Sequence, residues 1–369
     1  MKAGMLPNPQ AYLKELPDPR RETKNKLHKL EDILMIVLCS LLSGINDWVG
    51  MEDFANDRED WFRSFLELPN GIPSHDTLSA VLGRLEPTVF AERFTAWVEV
   101  AISSLAGKHI AIDGKALRGC AGQPVHLISA FVSEAQLVLG QASVDVKSNE
   151  ITAIPTLLEL LDIQGATITI DAMGCQKTIA KRIVDGGADY VLALKDNHPT
   201  LHEDVTLWLD SEVNAGRLPV LENEIEKDHG RIEKRRYWLS DRIDWLENRG
   251  DWKNLNAVGR VERSREIDGE VSIERSEFLC SFSDLEKFSR VVRGHWGIEN
   301  QQHWVLDIHF EEDKNRTRTD HAPENLALMR RMALNLIRCN GTGKRSIRRH
   351  RNKAMANDQY RQQLQTGTT

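Results

Sequence analysis

Apolar residues recur at helical spacing through most of the first hundred positions of the chain. The segments that follow this period are Ile33–Leu42, Asp53–Leu66, Thr77–Leu85 and Phe90–Leu105. Ser74, directly after Pro73, is a good N-cap for the third segment, and Pro87 suits the first turn of the fourth. The pattern predicts an N-terminal all-α domain over residues 1–106.

After Gly107 the pattern changes to short β-branched runs separated by helical segments. The predicted strands are Ile110–Asp113, Val125–Val132, Leu137–Val144, Ala166–Asp171 and Asp189–Leu194, and the helices between them are Asn149–Leu161 and Cys175–Asp185. This β-β-β-α-β-α-β order predicts a mixed sheet with flanking helices, an α/β fold of the ribonuclease-H-like kind. In that architecture the first and fourth strands lie side by side.

The texture changes again between residues 197 and 283, where charged and apolar residues alternate. Such alternation is typical of antiparallel strands with one wet face. We therefore predict a β-rich insertion over about 197–283 that forms a unit separate from the central sheet. Helical spacing resumes at Leu285, and a last helix is predicted over Pro323–Ile337, so that the whole α/β domain spans residues 107–338.

Two of the predicted strands end on a carboxylate. Asp113 ends the first strand in "HIAIDGKALRG", and Asp171 ends the fourth in "ATITIDAMGCQ". Neighbouring strands would bring these side chains together, where they repel unless one is protonated or a cation neutralises them. Mg²⁺ suits such a pair because it prefers oxygen ligands, and Mn²⁺ is the expected substitute. Two such ions can activate a hydroxyl nucleophile and stabilise the leaving oxygen in phosphodiester displacement.

A third acidic ligand is predicted at Glu299, in "RGHWGIENQQHW". Trp296, Glu299 and His303 are spaced i, i+3 and i+7, so in a regular helix they share one face. The alternative is that Glu299 is a solvated residue of an amphipathic helix. The acidic run at residues 311–313 is more conspicuous, but lysine and arginine at 314, 316 and 318 would neutralise it without a metal.

Composition argues against a membrane-spanning protein and against a cysteine-based metal or disulfide site, and it shows an uneven distribution of charge along the chain. The longest apolar run, Ile33–Ile45, is too short to cross a bilayer, and the five scattered cysteines lack a C-x-x-C pair, which favours reduced thiols in a cytoplasmic protein. The net charge is −7, yet from Arg330 to Arg361 ten basic residues oppose the single acid Asp358. We predict a basic C-terminal tail over 339–369, either solvated or in contact with phosphates.

Six phrases follow one another along the chain: "AIDGKALRG", "KSNEI", "TIDAMGCQ", "DYVLALKDNH", "HGRIEKR" and "RGHWGIENQQHWVLDIHFEED". In these phrases the chain resembles the H-repeat-associated, Rhs-linked insertion-sequence transposases of the DDE superfamily. The resemblance covers nearly the whole chain. It implies a ribonuclease-H-like catalytic core with a β-rich insertion, and it matches Asp113, Asp171 and Glu299 to the three acids that bind the metal.

Basic residues near these acids are candidate DNA contacts. Lys115 and Arg118 could hold DNA phosphates or be surface cations, and Arg231 could reach DNA from the insertion or serve only the turn. Broader relatives place Tyr, Arg and Lys around the glutamate as Y-x2-R-x3-E-x6-K, where this chain has Val, His and Leu at 292, 295 and 306. Arg293, His295 or Lys314 could substitute for the missing cations.

The favoured hypothesis is a Mg²⁺-dependent transposase that cleaves DNA at the ends of its element and joins them to target DNA. Its partners would be double-stranded DNA, as terminal inverted repeats and target, and further copies of itself in a homo-oligomer on DNA, with no membrane partner. The alternatives are an inactive DNA-binding remnant of a transposable element and a nuclease of the same fold that cuts without joining. All three acids are intact, which favours chemistry over the remnant.

Overall fold

The computed structural model describes residues 4–24, 26–119, 125–144, 150–223, 226–228, 231–247, 249–267 and 269–367. It is a mixed α/β protein that divides into two compact units. The first comprises Met1–Ser104, Gly114–Leu161 and Ile298–Thr369, and the second comprises Leu105–Asp113 and Asp162–Gly297. This division differs from the predicted one, because the N-terminal helices group with the C-terminal segment rather than standing alone.

The described residues form most of the predicted helices, although the segment Asp53–Leu66 divides between two helices and the helices after residues 198 and 346 were not predicted. The α-helices are α1 (Gln10–Leu13), α2 (Leu30–Leu42), α3 (Trp48–Asp57), α4 (Glu59–Arg63), α5 (His75–Arg84), α6 (Pro87–Glu99), α7 (Glu150–Glu159), α8 (Lys177–Asp185), α9 (Pro199–Asn214), α10 (Leu285–Gly297), α11 (Trp304–Phe310), α12 (Ala322–Asn340), α13 (Ile347–Ala356) and α14 (Asp358–Thr366). Ser74 caps α5 by accepting from the Thr77 amide at 3.4 Å, and Pro87 begins α6, as predicted.

The strands also follow the predicted order, with β-rich sequence after α9. They are β1 (His109–Leu117), β2 (Val125–Val132), β3 (Leu137–Val144), β4 (Thr167–Ile170), β5 (Asp189–Leu194), β6 (Leu221–Glu222), β7 (Glu226–Asp228), β8 (Arg231–Ser240), β9 (Ala257–Ile267) and β10 (Glu270–Cys280). With α7 and α8 between them, β1 to β5 reproduce the predicted β-β-β-α-β-α-β order.

The first unit has a core of helices and also contains a β-hairpin. Every residue of α2 except Glu31 is buried, and α2 packs on α12, whose residues are also largely buried. The long apolar run is therefore the central helix of a core. No described helix is long and apolar enough to cross a membrane. In the same unit β2 and β3 form the predicted antiparallel hairpin, with β1 on the other side of β2.

The second unit is built on a sheet with the strand order β1-β4-β5-β10-β9-β8-β6. β4 lies between β1 and β5 and runs parallel to both, which confirms that the first and fourth strands are adjacent. β10 pairs antiparallel with both β5 and β9. The prediction of a separate β-rich unit is therefore wrong, since these strands extend the central sheet, and the segment begins with the helix α9.

β10 joins the central sheet because its two halves differ in burial. Residues Glu270–Glu274 are exposed, whereas Leu279 and Cys280 are completely buried where the strand pairs with Val191 and Leu192 of β5. A buried strand such as β5 needs a hydrogen-bonding partner on its free edge, because unpaired backbone groups are costly away from water. The apolar end of β10 provides that partner.

The predicted C-terminal tail is folded, and this prediction also needs correction. Arg361 of α14 is fully buried, its guanidinium 4.0 Å from the ring centre of Trp61, and it donates to the Ala354 carbonyl at 2.7 Å. Arg351 of α13 is buried and donates to the Leu41 carbonyl at 2.8 Å. Carbonyl acceptors, aromatic faces and the Asp358 carboxylate surround these cations inside the first unit. They are core residues, not phosphate ligands of a solvated tail.

Candidate functional site

The two candidate aspartates occupy neighbouring positions in the sheet, although β1 continues to Leu117 and does not end at Asp113 as predicted. Ile112 of β1 is the parallel partner of Ile170 of β4, so that Asp113 and Asp171 are the next residues along the two paired strands. Adjacent strands lie about 4.8 Å apart, close enough for both carboxylates to hold a shared ion. Both residues are half-buried, and Asp171 also caps the short 3₁₀ turn that follows by accepting from the Gly174 amide at 3.3 Å. This juxtaposition is the core of the candidate site.

The donor chemistry of the pair suits a hard divalent cation. Two carboxylates supply oxygen ligands, and Mg²⁺ is commonly bound through one or two carboxylates with water and substrate phosphate completing its shell. Among the described residues no group of three His, Cys, Asp or Glu side chains is arranged to hold a metal. The aspartates therefore fit an ion that is completed by substrate, and they do not form a closed protein site.

A cavity of about 260 Å³ opens beside Asp171 in the second unit. Its apolar lining includes Tyr237, Val261 and Phe278 from β8, β9 and β10. Its basic lining residues are Lys195, Arg235, Arg263 and Arg293, and His295 and Trp296 complete the wall contributed by α10. Positive side chains next to a pair of carboxylates can hold the phosphodiester backbone on which a metal would act.

Three of these cations, Lys195, Arg235 and Arg263, were missed by the sequence analysis. Arg235 and Arg263 are direct cross-strand partners in β8 and β9, an arrangement that is unfavourable for like charges. Glu233 forms an ion pair with Arg235, and Glu274 forms one with Arg263. The guanidinium of Arg263 also lies 4.9 Å from the ring centre of Trp296. The dense alternating arginines of "EKRRYW" and "GRVERSRE" are the signal that could have indicated them.

His295 lines the cavity, but it is not the cation that the sequence analysis considered. Its Nδ1 lies 2.7 Å from Oγ1 of Thr169, and the same oxygen lies 2.7 Å from Nε2 of His109. Burial lowers the pKa of His295 to about 4 even though Asp171 opposes the shift, and burial lowers the pKa of His109 to about 3. Both imidazoles are neutral at pH 7, so His295 can offer a hydrogen bond to phosphate but no positive charge.

Lys115 lies inside the first unit and cannot be a surface contact for DNA. Its side chain is 7% exposed and forms an ion pair with Asp307. Glu312 and Asp313 lie 3.5 and 3.9 Å from the same ammonium. Three carboxylates thus neutralise the Lys115 ammonium inside the protein. The predictions that Lys115 holds phosphate or is a solvated surface cation are both wrong.

The other predicted DNA contacts differ in their exposure and surroundings. Arg118 has a side chain that is 84% exposed, with Asp313 at 4.0 Å as a distant partner. Arg293 is half-buried and lines the cavity. Arg231 is the first residue of β8, but its side chain lies outside the described part of the chain. For Arg118 and Arg293, contact with DNA phosphate therefore stays a prediction.

Glu299 is exposed and lies in a π-helical turn, Ile298–His303, between α10 and α11. A π-helical turn holds more residues than an α-helical one, which breaks the i, i+3, i+7 relation used in the prediction. Trp296 and Trp304 are 42% and 56% exposed, whereas His303 is only 8% exposed. The expectation that Trp296, Glu299 and His303 share one face is therefore wrong. π-Turns are frequent at functional sites, so the local backbone still singles out Glu299.

The acidic run at 311–313 does have counter-ions, although mostly not the predicted ones. Glu312 is fully buried and lies 2.8 Å from the Arg331 guanidinium. Burial raises the pKa of this carboxyl, but the positive charges of Arg331 and Lys115 lower the pKa by more than burial raises it. The net shift of the pKa is therefore downward. Glu311 does use a predicted partner, since the Lys314 ammonium lies 3.3 Å from its carboxylate. Glu312 is therefore a structural carboxylate.

Comparison with known proteins identifies the family to which this architecture belongs. Residues 105–336 match the model of the transposase DDE domain, and residues 10–98 match the model of the DDE_Tnp_1-associated region. The chain is 48% identical over 285 residues to an uncharacterized protein in the dhlA 3′ region of Xanthobacter autotrophicus, covering 76% of this chain and 96% of the relative.

Two relatives from Escherichia coli extend over almost the entire chain. "Putative transposase YncI" of strain O157:H7 is 36% identical over 359 residues, covering 95% of this chain and 92% of the relative. "H repeat-associated putative transposase YhhI" of strain K12 is 36% identical over 364 residues, covering 95% of each chain. The protein belongs to the H-repeat-associated insertion-sequence transposases of the DDE superfamily.

Proposed function

We propose that the protein is a metal-dependent transposase that cleaves DNA strands at the ends of its element and transfers them into target DNA. The observation that carries this proposal is the parallel register of β1 and β4, which sets Asp113 beside Asp171 directly after the last paired residues, Ile112 and Ile170. The order β3-β2-β1 in the first unit and β1-β4-β5 in the second supports a ribonuclease-H-like core.

Asp113 and Asp171 would hold Mg²⁺, with Mn²⁺ as the substitute, and Glu299 would be the third acidic ligand. When bound, the metal would lower the pKa of a water or a DNA 3′-hydroxyl and stabilise the leaving oxygen. The two aspartates keep their carboxylates at a fixed spacing because each follows a buried strand residue, Ile112 or Ile170. A rigid pair of ligands reduces the cost of organising the ion and the phosphate together.

The basic residues of the cavity would hold the DNA backbone next to these carboxylates. Arg293 on α10 and Arg263 on β9 line the cavity from two different elements, and Trp296 presents a partly exposed ring against the Arg263 guanidinium. Phosphate contacts position a duplex without reading its sequence. The terminal repeats would therefore be selected by other contacts, among which Arg118 and Arg231 are candidates.

Metal removal is the direct test of this function. We expect no cleavage in EDTA and full recovery on adding Mg²⁺ or Mn²⁺, because two adjacent carboxylates repel a phosphate unless a cation lies between them. The substrate is labelled duplex DNA that carries the repeats flanking the gene, and the products are mapped for both nicks and joints. Nicks without joints would indicate a nuclease that only cuts, and binding without nicks would indicate an inactive remnant. Cleavage at full rate in EDTA would contradict the proposal.

The salt dependence of DNA binding tests the cavity. Replacing Arg263 with Gln should flatten the slope of log affinity against log salt by about 0.9, the effect of losing one neutralised phosphate. Arg263→Lys keeps the charge and should retain the slope. Arg249→Gln, in the same unit but outside the cavity lining, is the matched control. An equal slope for wild type and Arg263→Gln would exclude this arginine as a phosphate contact.

A further inference from the structure

A chain of three polar side chains runs beneath the candidate site in the second unit. His109 opens β1 four residues before Asp113, and Thr169 in β4 lies two residues before Asp171. The Thr169 hydroxyl lies 2.7 Å from Nε2 of His109 and 2.7 Å from Nδ1 of His295. His109 and Thr169 are 2% and 3% exposed, so the hydroxyl that joins the two rings is shielded from water.

One hydroxyl between two neutral imidazoles has few ways to satisfy both. It carries a single proton, so it can donate to at most one of the two ring nitrogens and accepts an N–H from any ring to which it does not donate. If it donates to Nδ1 of His295, that ring keeps its proton on Nε2. If the Thr169 hydroxyl accepts from Nδ1 of His295, then Nε2 of that ring is unprotonated. Thr169 therefore selects the tautomer of His295, and this buried hydrogen bond decides what His295 presents to the cavity.

The surroundings of His295 favour the first arrangement. Asp171 lines the same cavity as His295 and its negative charge acts on that imidazole, which favours a protonated Nε2 over an unprotonated one. An unprotonated Nε2 would instead add a lone pair to the negative potential of the carboxylate and, with DNA bound, of a phosphate. Repulsion between these acceptors makes the second arrangement unfavourable.

We propose that Thr169 is a positioning residue that accepts from His109, donates to Nδ1 of His295, and so holds His295 as the Nε2–H tautomer that donates to a non-bridging oxygen of the scissile DNA phosphate. The inference rests on the proposed function, since it places that phosphate between His295 and the two aspartates. No bond is made or broken by this contact. Its effect is to orient the phosphate for in-line attack and to stabilise charge on its oxygens.

The tautomer of His295 is measured directly by ¹⁵N NMR of the full-length protein labelled at histidine. The His295→Gln variant assigns the signals. We expect wild type to show a bare Nδ1 and a protonated Nε2, Thr169→Ser to keep that pattern, and Thr169→Val to lose it, because valine preserves the shape of threonine but has no hydroxyl. A protonated Nδ1 in wild type, or the wild-type pattern in Thr169→Val, would overturn the proposal.

Two further readouts separate the contact from the folding of the site. Adding a duplex oligonucleotide in EDTA should shift the His295 Nε2–H signal, and an unchanged signal would exclude the phosphate contact. In the Mg²⁺ cleavage assay, Thr169→Val should lower kcat about tenfold with Thr169→Ser within about twofold of wild type, the scale expected for one hydrogen bond to a charged group. Equal kcat for Thr169→Val and wild type would contradict the role.

The outcomes also distinguish this inference from the proposed function. If wild type never cleaves DNA but the tautomer and the DNA-induced shift are as expected, the proposed reaction fails and the positioning arrangement stands. If wild type cleaves DNA and the tautomer is the opposite one, the reaction stands and the positioning arrangement fails.

Discussion

DNA cleavage is expected to fall by at least about 10³-fold when Asp113 or Asp171 is replaced with Asn. Each replacement keeps the size of the side chain and removes one of the two charges that would hold the metal. The charge stabilisation supplied by a bound metal is worth several kcal/mol, and about 1.4 kcal/mol corresponds to a tenfold change in rate. Glu299→Gln should have a similar effect if Glu299 is the third ligand. The measurement is single-turnover nicking of duplex DNA in Mg²⁺.

DNA binding without metal should change little in these variants, because the basic residues of the cavity are untouched. Asp204→Asn, at an exposed position of α9 in the second unit, is the matched control and should cleave at the wild-type rate. Cleavage by Asp113→Asn at more than a tenth of the wild-type rate would refute the role of the aspartate pair. Full activity in Glu299→Gln alone would leave that pair in place and exclude Glu299 as a ligand.

Replacing Glu312 with Gln is expected to lower the free energy of unfolding by about 3–5 kcal/mol. Glu312 is completely buried between Arg331 and Lys115, and removing one partner of a buried ion pair leaves uncompensated charge inside the protein. The measurement is denaturant unfolding at pH 7. Glu311→Gln is the matched control, since its carboxylate is half-exposed and its pairing with Lys314 is worth at most about 1 kcal/mol.

The effect of Glu312→Gln should depend on pH in a defined direction. The folded-state pKa of Glu312 lies below its ordinary value, because Arg331 and Lys115 outweigh the opposing effect of burial. The ionised carboxyl therefore stabilises the protein above the unfolded pKa of about 4.3, and this contribution is lost as the pH falls through the lowered folded value. The gap between wild type and variant should shrink below about pH 4. A gap that widens toward acid would contradict this assignment.

The paired aspartates could be predicted from the sequence because the relevant signals are local. The β-branched runs before Asp113 and Asp171 predict strands, and the order of strands and helices between them predicts that the two strands are neighbours. The observed pairing of β1 with β4 confirms this adjacency. A helix or strand periodicity depends on residues a few positions apart, and so it can be read without knowing the rest of the fold.

The partners of the charged residues could not be predicted in the same way. Lys115 was expected at the surface, and its actual partners lie about two hundred positions later in α11 and the turn that follows. Arg361 was expected in a basic tail that is solvated or in contact with phosphates, but it packs on Trp61. A charged side chain is equally suited to water and to a buried counter-ion, and only the arrangement of distant segments decides between them.

The sequence by itself determined most of the helices before residue 340, the order of β1 to β5, the pair of aspartates and the family, since each depends on neighbouring residues or on short ordered motifs. Only the tertiary structure decided that β10 joins β5, that α13 and α14 enclose buried arginines, and that Thr169 links His109 to His295. Each of these depends on pairing between segments far apart in the chain. Such pairing is selected by the free energy of burying and satisfying groups together, which local periodicity does not encode.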